Sequence, residues 1–161
     1  MTEKIGSIIG TPVLLFFLYC CAREDHRLKL LSVRRFWVFG GIGLIWFLIC
    51  KPFSWMELAG GAGLGLVLLW VSHVSKEQFG AGDAWIFFIS GMFLGAEENM
   101  RLLLWSLIIC GIYSMGMLLL KRRSRKERIA FAPFVLGAEV LLLLRKCQFR
   151  RGSLTVEASL I

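Results

Sequence analysis

Six apolar runs set the limits on what this chain can fold into. They cover residues 5–22, 36–50, 58–74, 84–96, 102–120 and 129–144. A helix needs roughly 20 residues to cross the hydrocarbon of a bilayer, so the shorter runs must borrow from their flanks. Hydrocarbon offers no partner for an unpaired backbone group, so the runs are expected as helices and strands are not. The pattern predicts an all-α, polytopic membrane protein, a six-transmembrane-helix bundle. Composition agrees: 57% of the 161 residues are hydrophobic and 13% aromatic, and the mean hydropathy is +0.71. A soluble domain of this size has too little interior to hide so much apolar surface. Disordered, collagen-like and disulfide-scaffold classes are excluded on the same ground. The first run follows Lys4 as the core of a signal peptide would. No small-residue cleavage site closes it, because Cys20-Cys21-Ala22 leads straight into charged residues. It is read as a mature helix.

The five cysteines, Cys20, Cys21, Cys50, Cys110 and Cys147, include no CxxC pair. They imply neither zinc nor a disulfide framework and are read as small apolar side chains. The stretch Gly60-Gly61-Ala62-Gly63-Leu64-Gly65 superficially resembles a dinucleotide loop. No strand precedes it, and small residues at this spacing let membrane helices approach closely, so it is read as a packing surface.

The net charge is +8, and the nineteen basic residues are unevenly placed. Twelve fall in the loops after the first, third and fifth runs; three, Lys4, Lys51 and Arg101, fall on the other side. The remaining four, Arg145, Lys146, Arg150 and Arg151, lie in the tail. The positive-inside rule puts the twelve in the cytoplasm and the N-terminus outside. The basic run at 121–128 is then an anchor beside anionic lipid rather than a nucleic-acid patch. The lipid bilayer is thus an expected partner, and nucleic acid is not.

Of eleven acidic residues only two are aspartates, Asp25 and Asp83. Both fall at helix edges on the side assigned to the cytoplasm. Asp25 is expected in the loop after the first run. Asp83 closes Gly80-Ala81-Gly82-Asp83 and opens the fourth run. Two carboxyls held close share one proton: the ionised one activates water and the protonated one donates to a carbonyl oxygen. Gly80 and Gly82 let the chain turn tightly beside such a pair. The competing reading makes Asp83 a helix N-cap and Asp25 a solvated loop charge. Glu139, inside the last run, is a further candidate because an ionisable residue at membrane depth is seldom idle. It is expected to line the cavity or to pair with a basic group such as Arg101. His26 and His73 are read as loop and interfacial residues.

The segment Gly80-Ala81-Gly82-Asp83-Ala84-Trp85-Ile86-Phe87-Phe88, running on through Gly91 to Leu94-Gly95, resembles the GxGD signature of the prepilin peptidases, or type IV leader peptidases. In that family a first aspartate follows the first core helix, and Asp25-His26-Arg27-Leu28-Lys29-Leu30-Leu31-Ser32 occupies that place. Leu31-Ser32 stands where the family has Ile-Pro. Ile129-Ala130-Phe131-Ala132-Pro133-Phe134 is similar to the family's entry into its last helix. Presenilin-type proteases share GxGD but not this short layout, and no Pro-Ala-Leu motif is present. The resemblance implies a membrane aspartic endopeptidase of the inner (plasma) membrane. It would cut the basic leader of pilin or pseudopilin precursors after a Gly, on the cytoplasmic face. It implies Asp25 and Asp83 as the catalytic dyad, with Glu24 a minor rival, and no metal or cofactor. The additional methyltransferase-associated domain of some members, with its paired cysteines, is not expected.

Residues 1–145 are accordingly read as the peptidase-like membrane domain. Residues 146–161 are read as a basic tail. Arg150-Arg151-Gly152-Ser153-Leu154-Thr155-Val156-Glu157 resembles the start of a pilin-like precursor, with a cleavage site at Gly152–Ser153 and Glu157 five residues on. The alternatives for this tail are an amphipathic end to the last helix and a fused or truncated pilin-like sequence. A six-helix chain with its N-terminus outside puts the tail outside too, where its own aspartates do not reach it. The alternative function is a small non-enzymatic transporter or pilus-assembly component whose aspartates have structural roles.

Overall fold

A computed structural model of the chain describes residues 2–28, 33–51, 54–75, 80–120 and 130–158. Their regular structure is all helical: α1 (Thr2–Leu28), α2 (Val33–Cys50), α3 (Trp55–Val74), α4 (Ala81–Leu119) and α5 (Ala132–Ala158). The Leu31-Ser32 pair and the basic run at 121–128 lie outside the described residues.

Two of the six expected helices, 84–96 and 102–120, are joined in α4. Its backbone leaves the helix at Gly95, where φ is 79° and ψ −177°, a combination essentially confined to glycine. The break is a reversal. Asn99 Nδ2 donates to the Phe87 carbonyl at 2.9 Å, whereas an unbroken helix would hold those residues about 18 Å apart. Residues 81–94 and 96–119 are therefore the two antiparallel arms of a hairpin.

The most extensive helix contact is between α3 and this hairpin. Glycines bring the backbones together: a Cβ on Gly65 would stand 2.3 Å from Phe88 Cα, and one on Gly61 2.5 Å from the Gly91 carbonyl oxygen. The Gly60–Gly65 stretch is thus a packing surface. Ser54 caps α3, its Oγ accepting from the Glu57 N–H at 3.3 Å, the first half of a Ser-x-x-Glu capping box.

The centre of the molecule is aromatic. Phe17, Phe47 and Phe87 are fully buried with Leu14, Ile86, Ile89 and Val135. Phe36 stacks on Trp85 with ring centroids 5.9 Å apart, and Phe17 meets Phe39 at 5.0 Å. The outside is apolar too: Trp37, Ile49, Met56, Trp70, Ile112 and Leu144 are all exposed. Such a surface would drive association in water and is at home in lipid.

Among the described residues, Trp55–Val74 and the α4 stretch Ala81–Met117, which contains the hairpin, are long and apolar enough to cross a membrane, and Phe36–Cys50 is a shorter apolar helix. The departure from six equal spans has local causes. The arm at 81–94 is about 21 Å long, short of the roughly 30 Å hydrocarbon core. Both α1 and α5 carry charged residues within their lengths.

Candidate active site

Asp25 lies in the last turn of α1 rather than in a loop. Arg23 and Glu24 are good helix formers, and no Gly or Pro stops the helix where the apolar run ends. Asp25 Oδ2 accepts a hydrogen bond from the Ala132 N–H at 3.0 Å. Ala132 opens α5, so this donor has no partner within its own helix. The carboxyl also faces the positive end of the α5 dipole. One contact therefore fixes Asp25 and anchors the start of α5. Glu24, its neighbour, projects about 100° away around α1.

Asp83 sits in the first turn of α4. The Gly80 carbonyl accepts from the Asp83 N–H at 3.0 Å and the Ala84 N–H at 3.4 Å. Gly80 thus holds the capping seat and Asp83 lies three residues inside it, which is not the N-cap position of the structural alternative. Its carboxyl folds back over the turn: a Cβ on Gly80 would come within 2.9 Å of Asp83 Oδ2. Gly82 lies between them on the first turn.

The two aspartates, far apart in sequence, interact electrostatically. Three helix ends meet here: the C-terminal end of α1 and the N-terminal ends of α4 and α5. The floor is aromatic. Trp85, two residues beyond Asp83, stacks on Phe36, and Phe87 meets Phe131 at 6.2 Å. Two half-buried carboxyls at helix ends, one oriented by a backbone donor, form an arrangement suited to activating a water molecule.

The hairpin adds a neighbour that sequence reasoning missed. Cys110, on the returning arm, lies near enough to Asp83 for the two to feel each other's charge when ionised, and its Sγ lies 4.0 Å from Ser114 Oγ. No local motif marks this pair. Only the reversal at Gly95 brings residue 110 back to the level of residue 83. None of the five cysteines is joined in a disulfide. No cluster of three or more His, Cys, Asp or Glu residues able to hold a metal occurs among the described residues.

The remaining candidates lie elsewhere. Glu139 is buried at 3% exposure. Its charged neighbours are Lys146 and Glu98, while Arg101, the expected partner, pairs with Glu97 at 2.5 Å and Glu98 at 3.6 Å. Lys146 Nζ binds Glu98 Oε2 at 3.0 Å, tying α5 to the hairpin near its Gly95 turn, at the opposite end of the first arm from Asp83. Gly152, Ser153 and Glu157 belong to α5, and their side chains lie outside what is described. Gly152 stands about 30 Å along α5 from Ala132. The His26 side chain also lies outside what is described. His73 is exposed at the end of α3.

The family model described as the type IV leader peptidase family matches residues 12–115. That stretch contains Asp25, the GAGD segment and the whole first arm of α4. Neither the search of curated proteins nor that of solved structures returns a match.

Proposed function

Because the chain belongs to the type IV leader peptidase family, a family of membrane-embedded proteases, we propose that it is an aspartic endopeptidase with Asp25 and Asp83 as its catalytic pair. The observation that carries this reading is the convergence of the chain's only two aspartates on three helix ends. In the first step the ionised carboxyl takes a proton from water as its oxygen attacks the scissile carbonyl. The protonated carboxyl donates to the carbonyl oxygen, giving a neutral gem-diol. In the second step the carboxyl left ionised takes a proton from one gem-diol hydroxyl as the C–N bond breaks, and the other carboxyl protonates the departing amide nitrogen, which restores the pair to one ionised and one protonated member. The chemistry consumes one water and calls for no cofactor. The pair titrates as a unit, so the acid and base roles belong to the dyad rather than to either residue.

The proposed substrate is a prepilin-like precursor, cut after a Gly that follows a basic leader. Counting the arms of α4 separately gives six crossing segments, with α1, arm 81–94 and α5 presenting their catalytic ends on the cytoplasmic side. The tail at 146–161 keeps its likeness to such a precursor. Its Gly152–Ser153 bond stands about 30 Å along α5 from Ala132, at the end away from the dyad, so the tail is proposed as a fused or truncated pilin-like sequence rather than as a substrate of its own aspartates.

The test is leader removal from a co-expressed prepilin by full-length chain. Asp25→Asn and Asp83→Asn are each expected to abolish it, by at least roughly 10³-fold where both members of an acid–base pair are required. Full processing by either variant would sink the assignment.

A further inference from the structure

The chain has one asparagine, Asn99, and it is fully buried. Its amide is used completely. Nδ2 donates to the Gly61 carbonyl of α3 at 3.0 Å and to the Phe87 carbonyl of the first arm at 2.9 Å. Oδ1 accepts from Ser90 Oγ at 2.8 Å. Ser90 is itself fully buried, and its hydroxyl also lies 3.3 Å from the Phe87 carbonyl oxygen. Three segments are joined at one side chain: α3, the arm that carries Asp83, and the arm that returns from Gly95.

The glycine contacts around this knot bring the backbones close but do not set their register. Gly61 meets Gly91 and Gly65 meets the Phe88 backbone, so at these two points α3 has no side chain of its own to lock into a groove. Directional bonds do what such contacts cannot. In a dry interior a bonded amide is costly to displace, because no water takes the place of the lost partner. Phe87 lies one helical turn beyond Asp83. Holding its carbonyl therefore holds the arm along its axis, and with it the level of the Asp83 carboxyl. Asp25 is anchored separately, through the start of α5. Any slide of the first arm moves one carboxyl relative to the other.

We propose that Asn99 is a positioning residue for the dyad: with Ser90 it locks the first arm of α4 against α3 and sets where Asp83 meets Asp25. The inference rests on the dyad reading above, and the experiment separates the two. Full-length chain in detergent micelles is assayed on a prepilin-like precursor that the unaltered chain cleaves, with kcat referred to folded protein. Asn99→Leu keeps the branched outline with somewhat more bulk and removes every bond. Asn99→Asp keeps the shape and removes the donors. Both are expected to lower kcat roughly 10- to 100-fold, the scale of a misplaced reacting group, with KM changed less than about twofold. Ser90→Ala is expected to lower kcat by a smaller factor. Adding it to Asn99→Leu should lower kcat no further, since members of one unit are not additive. A general loss of packing would instead lower the yield of folded chain and leave kcat per folded molecule unchanged.

Unchanged kcat in Ser90→Ala and in whichever Asn99 variant accumulates, with Asp83→Asn inactive, overturns the positioning role and leaves the dyad standing. Equal losses in kcat and in substrate affinity also overturn it. Wild-type cleavage by Asp83→Asn removes the dyad reading and this inference together.

Discussion

A carboxyl that must aim at a scissile carbonyl is sensitive to a neighbour no larger than a methyl group. Gly80 shows why. A Cβ there would stand 2.9 Å from Asp83 Oδ2, and the next atom it would meet is Asp83 Cγ at 3.6 Å. Gly80→Ala therefore costs the fold little, because the carboxyl can swing away, but that swing re-aims the proposed catalytic group. Cleavage is expected to fall roughly 10- to 100-fold, while the thermal midpoint in detergent moves by no more than a few degrees. Wild-type turnover in this variant would mean that the back-folded carboxyl is not the working conformation. At this scale the sequence was informative where a residue type was scarce. With only two aspartates in the chain, any acid–base pair of aspartates had to be Asp25 and Asp83. It was silent on the Ala132 N–H, since every residue but proline carries the same donor. It was silent on Cys110 and Asn99 too, whose roles depend on which segments the chain brings back beside them.

The same contrast holds for the elements. The positions of the apolar runs were legible because hydrocarbon forces every backbone group into a helix. Their ends were less so. The helix holding Asp25 runs on to Leu28, past the last apolar residue of its run, because helical propensity does not stop at the membrane edge. The join between the fourth and fifth runs was expected as a connection of ordinary length and is a single residue, Gly95. Hydropathy does not reveal this, since Glu97, Glu98 and Asn99 read as a polar loop while they belong to the start of the returning arm. The conformation of Gly95 makes the prediction here. With φ at 79° and ψ at −177°, a side chain is strained whatever space surrounds it, at a cost of about 1–3 kcal/mol. Gly95→Ala is expected to lower stability by that amount in a reversible unfolding measurement. It should also lower cleavage, because the turn sets the relation of the two arms and hence the level of Asp83. A stable, active Gly95→Ala chain would show that the reversal does not depend on this conformation.

For the whole molecule, the strongest constraint is the asymmetry of charge. Twelve basic residues fall around the connections after the first, third and fifth apolar runs and three elsewhere when the tail is set aside, and on the six-segment reading proposed above a bias of that kind orients a membrane protein. The fold supplies a way to read the orientation near the dyad. Ser54 and Ser75 cap opposite ends of α3, about 30 Å apart. Only residues 76–80 separate Ser75 from α4, and a fully extended chain of that length spans about 20 Å at most, less than the hydrocarbon core. Ser75 must therefore lie on the same side as Asp83. In an otherwise active chain with its five cysteines replaced, Ser54→Cys is expected to react with a membrane-impermeant maleimide applied to intact cells. Ser75→Cys is expected to react only after the membrane is opened. The reverse pattern would put Asp83 and the Ala132 end of α5 outside, where a basic leader held in the cytoplasm could not reach them. Such a result leaves the catalytic pair standing and rules out cytoplasmic leader processing.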